Sequence, residues 1–142
     1  MNDVERLRKA LAAEHAAVYA YGMLGARTTG TLRSRVTAAF NAHRATRDRL
    51  RVMISSRGGS PVETESSYDV GQTPTSATQV VNLAVLVEEG ITATYLELAA
   101  SDDVALRRHA ALAMQESVTR SYGFRRRILA LPGMPDSVQG TS

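Results

Sequence analysis

Cysteine and tryptophan are absent from this chain of 142 residues, and proline does not occur before Pro61. The missing thiols exclude disulfides, thiolate metal ligands and a Cys nucleophile together, and they suit a reducing compartment. The missing proline leaves the first sixty residues free of the ring that breaks helices. Aromatic residues number only seven, five Tyr and two Phe. No stretch approaches the roughly 18 uncharged apolar residues that a bilayer span needs, so no membrane partner is expected. The opening Met1-Asn2-Asp3-Val4-Glu5 carries acids where a secretory leader would carry basic residues and then an apolar run. A cytoplasmic location is therefore expected. Lysine is nearly absent as well, since sixteen of the seventeen basic residues are Arg.

What is present is Ala, Leu, Arg and Glu in long stretches, the residues that favour helix intrinsically. The net charge of +3 and a pI near 9.7 invite a nucleic-acid reading. An Arg- and Ala-rich composition, however, is what a GC-rich genome produces without functional demand, and +3 is ordinary for a small soluble domain. Nucleic acid is thus not expected as a partner. A basic adaptor acting through Arg44, Arg51 and the arginines of the last helix is kept as a third-ranked reading.

Four helices are expected. The first runs from about Asp3 to Arg27 and ends near Gly30, which suits a left-handed stop. The second runs from about Thr31 to Ser56, before Gly58-Gly59-Ser60-Pro61. The third begins near Pro74-Thr75-Ser76, with Pro in the first turn, and ends near Ala100. Ser101-Asp102-Asp103 offers the cap of the fourth, which runs to just before Pro132 and leaves residues 132–142 as a disordered tail. The domain is thus residues 1–131. Short turns make each pair of helices an antiparallel hairpin. The 18 residues from Gly58 to Thr75 can reach about 60 Å, and a 26-residue helix is only about 39 Å long. A single long crossover can therefore run the length of the bundle, although a wandering loop in an up-down-up-down bundle would also satisfy the spacing.

The apolar seam of the first helix, Val4, Leu7, Leu11, Val18 and Tyr21, skips one position, and Glu14 stands there. The seam of the third, Val81, Ala84, Ile91, Tyr95 and Leu98, is interrupted by Glu88. Each Glu is followed by a Tyr seven residues on, and the two sets are 74 residues apart. The same offset carries Leu32 onto Leu106, Val36 onto Ala110, Ala39 onto Ala113, Phe40 onto Met114, Leu50 onto Phe124 and Ile54 onto Ile128. Two copies of one hairpin account for this register. His43 lies on the seam of the second helix, with Ser117 as its counterpart. Glu14, His43 and Glu88 should meet at mid-bundle, where a buried charge requires a partner.

Ferritin-like di-iron and di-manganese proteins place one Glu on each of two helices and Glu-x-x-His on each of the other two. Here Glu14 and Glu88 match the single positions, but the paired motifs become Phe40-x-x-His43 and Met114-x-x-Ser117, so both bridging carboxylates are missing. Two readings follow. One is a self-satisfied polar core of Glu14, Tyr21, His43, Arg47, Glu88, Tyr95 and Arg120, with no cofactor. The other is an iron or manganese site on Glu14, His43 and Glu88, in an oxidoreductase or a storage-type protein.

The segments Ala12-Ala13-Glu14-His15-Ala16-Ala17-Val18-Tyr19-Ala20-Tyr21, Ala42-His43-Arg44-x-x-Arg47-Asp48 and Leu86-Val87-Glu88, with Tyr95, resemble an actinobacterial family of ferritin-like domains of undefined function. The resemblance spans roughly residues 5 to 130. It implies an all-α ferritin-like four-helix bundle with a buried Glu/His/Arg set, and supplies no reaction. The family often carries a Trp late in the fourth helix, where this chain has Tyr122 and Phe124.

Other polar residues take simpler readings. His15 should turn toward solvent or a helix neighbour, and His109 should lie on the surface near the start of the fourth helix. Glu89, adjacent to Glu88, should be solvated. Arg125-Arg126-Arg127 should sit in the last turns of the fourth helix and complement its dipole. There is no phosphate loop and no Ser/His/Asp arrangement. The expected protein is non-enzymatic, without an identifiable small-molecule substrate, and dimeric through an Ala-rich helical face.

Overall fold

The computed structural model describes residues 1–126, and within them the only regular elements are four helices. Helix α1 spans Asp3–Gly25, α2 Gly30–Ser56, α3 Ala77–Leu98 and α4 Val104–Phe124. Local chemistry sets their ends. Asn2 and Glu5 form a capping box at the start of α1, the Asn2 side chain accepting from the Glu5 amide at 2.8 Å and Glu5 accepting from the Asn2 amide at 2.9 Å. Gly30 adopts φ +63°, but it opens α2 and does not stop α1, which ends at Gly25 with Ala26 in a right-handed conformation. At the end of α2, Gly58 (φ +77°) donates to Ser55 and Gly59 to the Ile54 carbonyl at 3.0 Å, a Schellman stop. Ser76 caps α3 and Asp103 caps α4.

Two further boundaries differ from the sequence reading. Pro74 is buried ahead of α3 rather than in its first turn, because the Ser76 side chain provides the cap. Helix α4 ends at Phe124, where Arg125 turns to an extended conformation. Arg125 and Arg126 therefore lie beyond the last helical turn, and Arg126 rests over the Tyr122 ring. Arg127, Ile128 and the expected tail fall outside the described residues.

Contacts between helices fix the topology. Lys9 pairs with Glu97, Tyr95 reaches Glu14 and Tyr21 reaches Ala84, so α1 and α3 are antiparallel neighbours. Arg57 pairs with Asp103 at one end of α2 and α4, and Arg35 lies against Gly123 at the other, so these two are also antiparallel. Helices α2 and α3 consequently run the same way, and the segment between them crosses the length of the bundle. That crossover is fastened to α1. His15 Nε2 donates to the Val62 carbonyl at 3.0 Å, and the rings of Tyr19 and Tyr68 lie 5.6 Å apart. His15 is accordingly buried, not directed to solvent, because the crossover roofs its face of α1.

The core forms two apolar layers. One is built around Leu7, Leu11, Leu50, Ile54, Leu98 and Leu106, and the other around Leu24, Val36, Ala39, Val80 and Ala84. Tyr95 belongs to the first layer and Tyr21 to the second. Burial repeats at the 74-residue offset: Leu11 and Val85, Ala17 and Ile91, Leu24 and Leu98, and Val36 and Ala110 are all buried. Val4, Val18 and Val81 sit only half-buried at the margins of the seam, where Val80 and Val85 take the inner positions of α3. Among the described residues no helix is long and apolar enough to cross a membrane.

Candidate functional site

Between the two apolar layers lies a belt of polar side chains, one or more from each helix. Glu14 comes from α1, His43 from α2, Glu88 from α3, and Ser117 and Arg120 from α4. Glu14, His43, Glu88, Ser117, Tyr21 and Tyr95 are all within 1% of complete burial. Arg120 is the member that reaches solvent, with 22% of its side chain exposed.

His43 organises the belt. Its Nδ1 lies 2.5 Å from Glu14 Oε2 and its Nε2 lies 2.8 Å from Glu88 Oε2. A neutral imidazole has one N–H and one lone pair, and here its lone pair would face a carboxylate. A ring protonated on both nitrogens donates to both acids. Burial works against that charge, but the hydrogen bonds and negative charges of Glu14 and Glu88 prevail and hold the His43 pKa up at about 9. Burial likewise pushes Glu88 up, and His43, Arg120 and Tyr21 together outweigh it and hold its carboxyl down at about 2.

Every carboxylate oxygen in the belt is engaged. Glu88 Oε2 also accepts from Tyr21 at 2.5 Å, and its Oε1 accepts from Ser117 at 2.8 Å and from Arg120 Nε at 2.9 Å. Glu14 Oε1 accepts from Tyr95 at 2.8 Å. Burial and the adjacent carboxylates raise both phenols above the usual range, so they remain donors. The tyrosines cross over: each donates to the Glu of the other hairpin. The duplicated pattern thus becomes a reciprocal bond between halves. With two carboxylates, one imidazolium and one guanidinium, the belt is neutral.

Of the seven residues expected in a polar core, Arg47 lies elsewhere. It pairs with Asp48 at 3.1 Å on the outer side of α2, because the adjacent carboxylate offers a solvated partner closer than the core. Arg44 lies over the Phe40 ring. His109 is not a surface residue. It is half-buried, packs edge-on against Tyr95, and has an Nε2 shielded from solvent without a hydrogen-bond partner. Burial and the nearby Arg49 lower its pKa, which keeps it neutral. Ser117, absent from the expected set, is a full member of the belt. The signal for it was its position as the counterpart of His43. Phe124 stacks on Tyr21, their ring centroids 6.1 Å apart, and packs against the second apolar layer.

The chain matches, over residues 6–136, the family described as Domain of unknown function (DUF4439). The chain belongs to this family. The DUF4439 domain is also similar to a conserved hypothetical protein, rv2844, from Mycobacterium tuberculosis, known from its crystal structure. The two share 29% identity with a TM-score of 0.82, over 87% of this chain and 95% of that one. No curated protein matches this chain.

Proposed function

We propose that this DUF4439 domain is a ferritin-like bundle that has lost di-metal chemistry and serves as a non-enzymatic scaffold. Its polar belt sets the register of the four helices rather than turning over a substrate. The single long crossover supports the ferritin-like relationship, since that connection characterises such folds. Apolar Phe40 and Met114 stand where bridging carboxylates would be needed. The observation that carries the reading is the His43 ring, held between Glu14 and Glu88 at 2.5 and 2.8 Å. Its two N–H groups occupy the space between the acids, as a cation would.

Iron or manganese fits this donor set poorly. Neither His43 nitrogen offers a lone pair, and each carboxylate oxygen already accepts at least one hydrogen bond. Glu14, His43 and Glu88 meet with the imidazole lying between the two carboxylates, not with their donor atoms turned toward a common point. Homodimerisation and a cytoplasmic location belong to the same proposal.

The test is metal analysis of protein purified without chelator, followed by titration with iron(II) or manganese(II). Substoichiometric metal and an unchanged melting temperature are expected. One tightly held ion per chain, lost in His43→Ala, would overturn the proposal.

A further inference from the structure

Charge is unevenly distributed over the four helices. Helix α2 carries six arginines against one carboxylate, Asp48, and α4 carries three against one, Glu116. Helix α3 carries three glutamates and no basic residue. A genome-wide preference for Arg would act on every helix alike, so it explains the arginines but not their segregation. Because α2 and α4 are neighbours, the segregation gathers positive charge on one side of the bundle. The acids of the crossover, Glu63, Glu65 and Asp69, belong to a segment fastened to α1 instead.

Much of this charge is unneutralised. Arg47 and Arg51 share Asp48, Arg57 pairs with Asp103, and Arg120 turns inward to Glu88. Of the arginines on α2 and α4, Arg33, Arg35, Arg44, Arg49, Arg107 and Arg108 form no ion pair, and all six are exposed. Arg107 donates to the Ser101 and Asp102 carbonyls, which leaves five unpaired. Like charges gathered on a folded surface repel one another and destabilise the compact state. A counter-charge from a partner removes that penalty.

The spacing describes the partner. Arg33 and Arg44 lie along the flank of α2 that faces α1, and Arg35 and Arg49 along the flank that faces α4. The two rows run through about 24 Å of helix at ~1.5 Å per residue, which suits an extended polyanion better than a single small anion. Between these two rows Ser34, Thr37 and Asn41 stand exposed on the outer surface of α2. Hydroxyls, amides and guanidinium groups are the donors that bind phosphate oxygens. On α2 Val52 is the exposed large apolar side chain, and on α4 Val104, Leu112 and Tyr122 stand eight or more residues apart, too scattered to insert into a bilayer.

We propose that the outer face of α2, with Arg108 of α4 beside it, binds the phosphate backbone of duplex nucleic acid without reading its sequence. This goes beyond the scaffold reading by giving the bundle a partner, and it is independent of whether the polar belt holds a metal.

The experiment is fluorescence anisotropy with a labelled duplex of arbitrary sequence, titrated with the full chain over a range of salt. If the five unpaired arginines each neutralise one phosphate, log K falls against log[salt] with a slope of about −4.5. The double variant Arg33→Glu, Arg49→Glu is expected to weaken binding about tenfold or more and to lower the slope by about two. A control of equal charge change, Arg8→Glu with Arg27→Glu, should bind like the parent, with helicity and melting confirming that both variants fold. Absence of salt-sensitive binding at low salt would overturn the proposal. So would an equal loss in the control, or retention by anionic phosphatidylglycerol vesicles without duplex binding.

Discussion

His43 has both ring nitrogens committed to carboxylates and none of its surface exposed, so its protonation is tied to folding. Replacement by Leu leaves Glu14 and Glu88 facing each other without the intervening cation. Breaking a buried pair in this way costs about 3–5 kcal/mol, which urea unfolding of His43→Leu should show. The pH dependence follows from the same groups. The His43 pKa stands at about 9 against an ordinary 6.5, so its contribution is complete below about 6.5 and is lost as pH rises through 9. The Glu88 pKa stands at about 2 against 4.5, so its contribution is complete above about 4.5 and is lost as pH falls through 2. Stability should therefore be highest between these windows, from about pH 4.5 to 6.5. It should then decline on the alkaline side by an amount on the order of 3 kcal/mol. Melting temperatures from pH 6.5 to 9 should show the alkaline decline in the parent and not in His43→Leu.

At the scale of the helices, the repeat makes a sharper demand. Tyr21 serves the Glu of the second hairpin and Tyr95 the Glu of the first, so Tyr21→Phe and Tyr95→Phe should cost similar amounts, about 1–3 kcal/mol each. A large inequality in unfolding free energy would mean that the halves are not equivalent. The stop of α2 is equally specific. A Cβ at Gly59 would lie 2.7 Å from Val4 Cγ1 and 3.3 Å from the Ile54 carbonyl. Gly59→Ala should accordingly destabilise the chain by about 1–3 kcal/mol in the same assay. His15→Ala should release the crossover, seen as faster amide exchange between residues 58 and 76, while the polar belt stays protected.

These elements also show what the sequence made legible. Glu14 and Glu88 could be found because a charge within an apolar seam breaks a strong period, and the two tyrosines share that period. His15 could not, since helical phase says nothing about a loop lying over one face. Arg47 shares the phase of His43, one turn along, and was misplaced because phase alone cannot weigh Asp48 against a core carboxylate. Ser117 carries no charge, and only the 74-residue register pointed to it.

On the scale of the whole molecule, two antiparallel hairpins and a crossover long enough to run the bundle's length could be read from spacing. The choice between that path and a wandering loop could not. It depended on contacts such as Arg57 with Asp103 and Lys9 with Glu97, which join residues far apart in the chain. That the second and fourth helices are rich in Arg could be counted from the sequence, but that they are neighbours could not. A net charge of +3 describes the chain, whereas the pairing of helices decides where charge accumulates. The fold itself is shared with the mycobacterial rv2844 protein at a TM-score of 0.82. What distinguishes a proton-filled belt from a metal centre is the state of one ring. The long-range nitrogen NMR spectrum of His43 near neutral pH reads that state directly. Two protonated ring nitrogens, unchanged by equimolar manganese(II) or iron(II), are expected. A ring with one bare nitrogen, its signal lost as the metal is added, would contradict the claim that His43 stands in the metal's place.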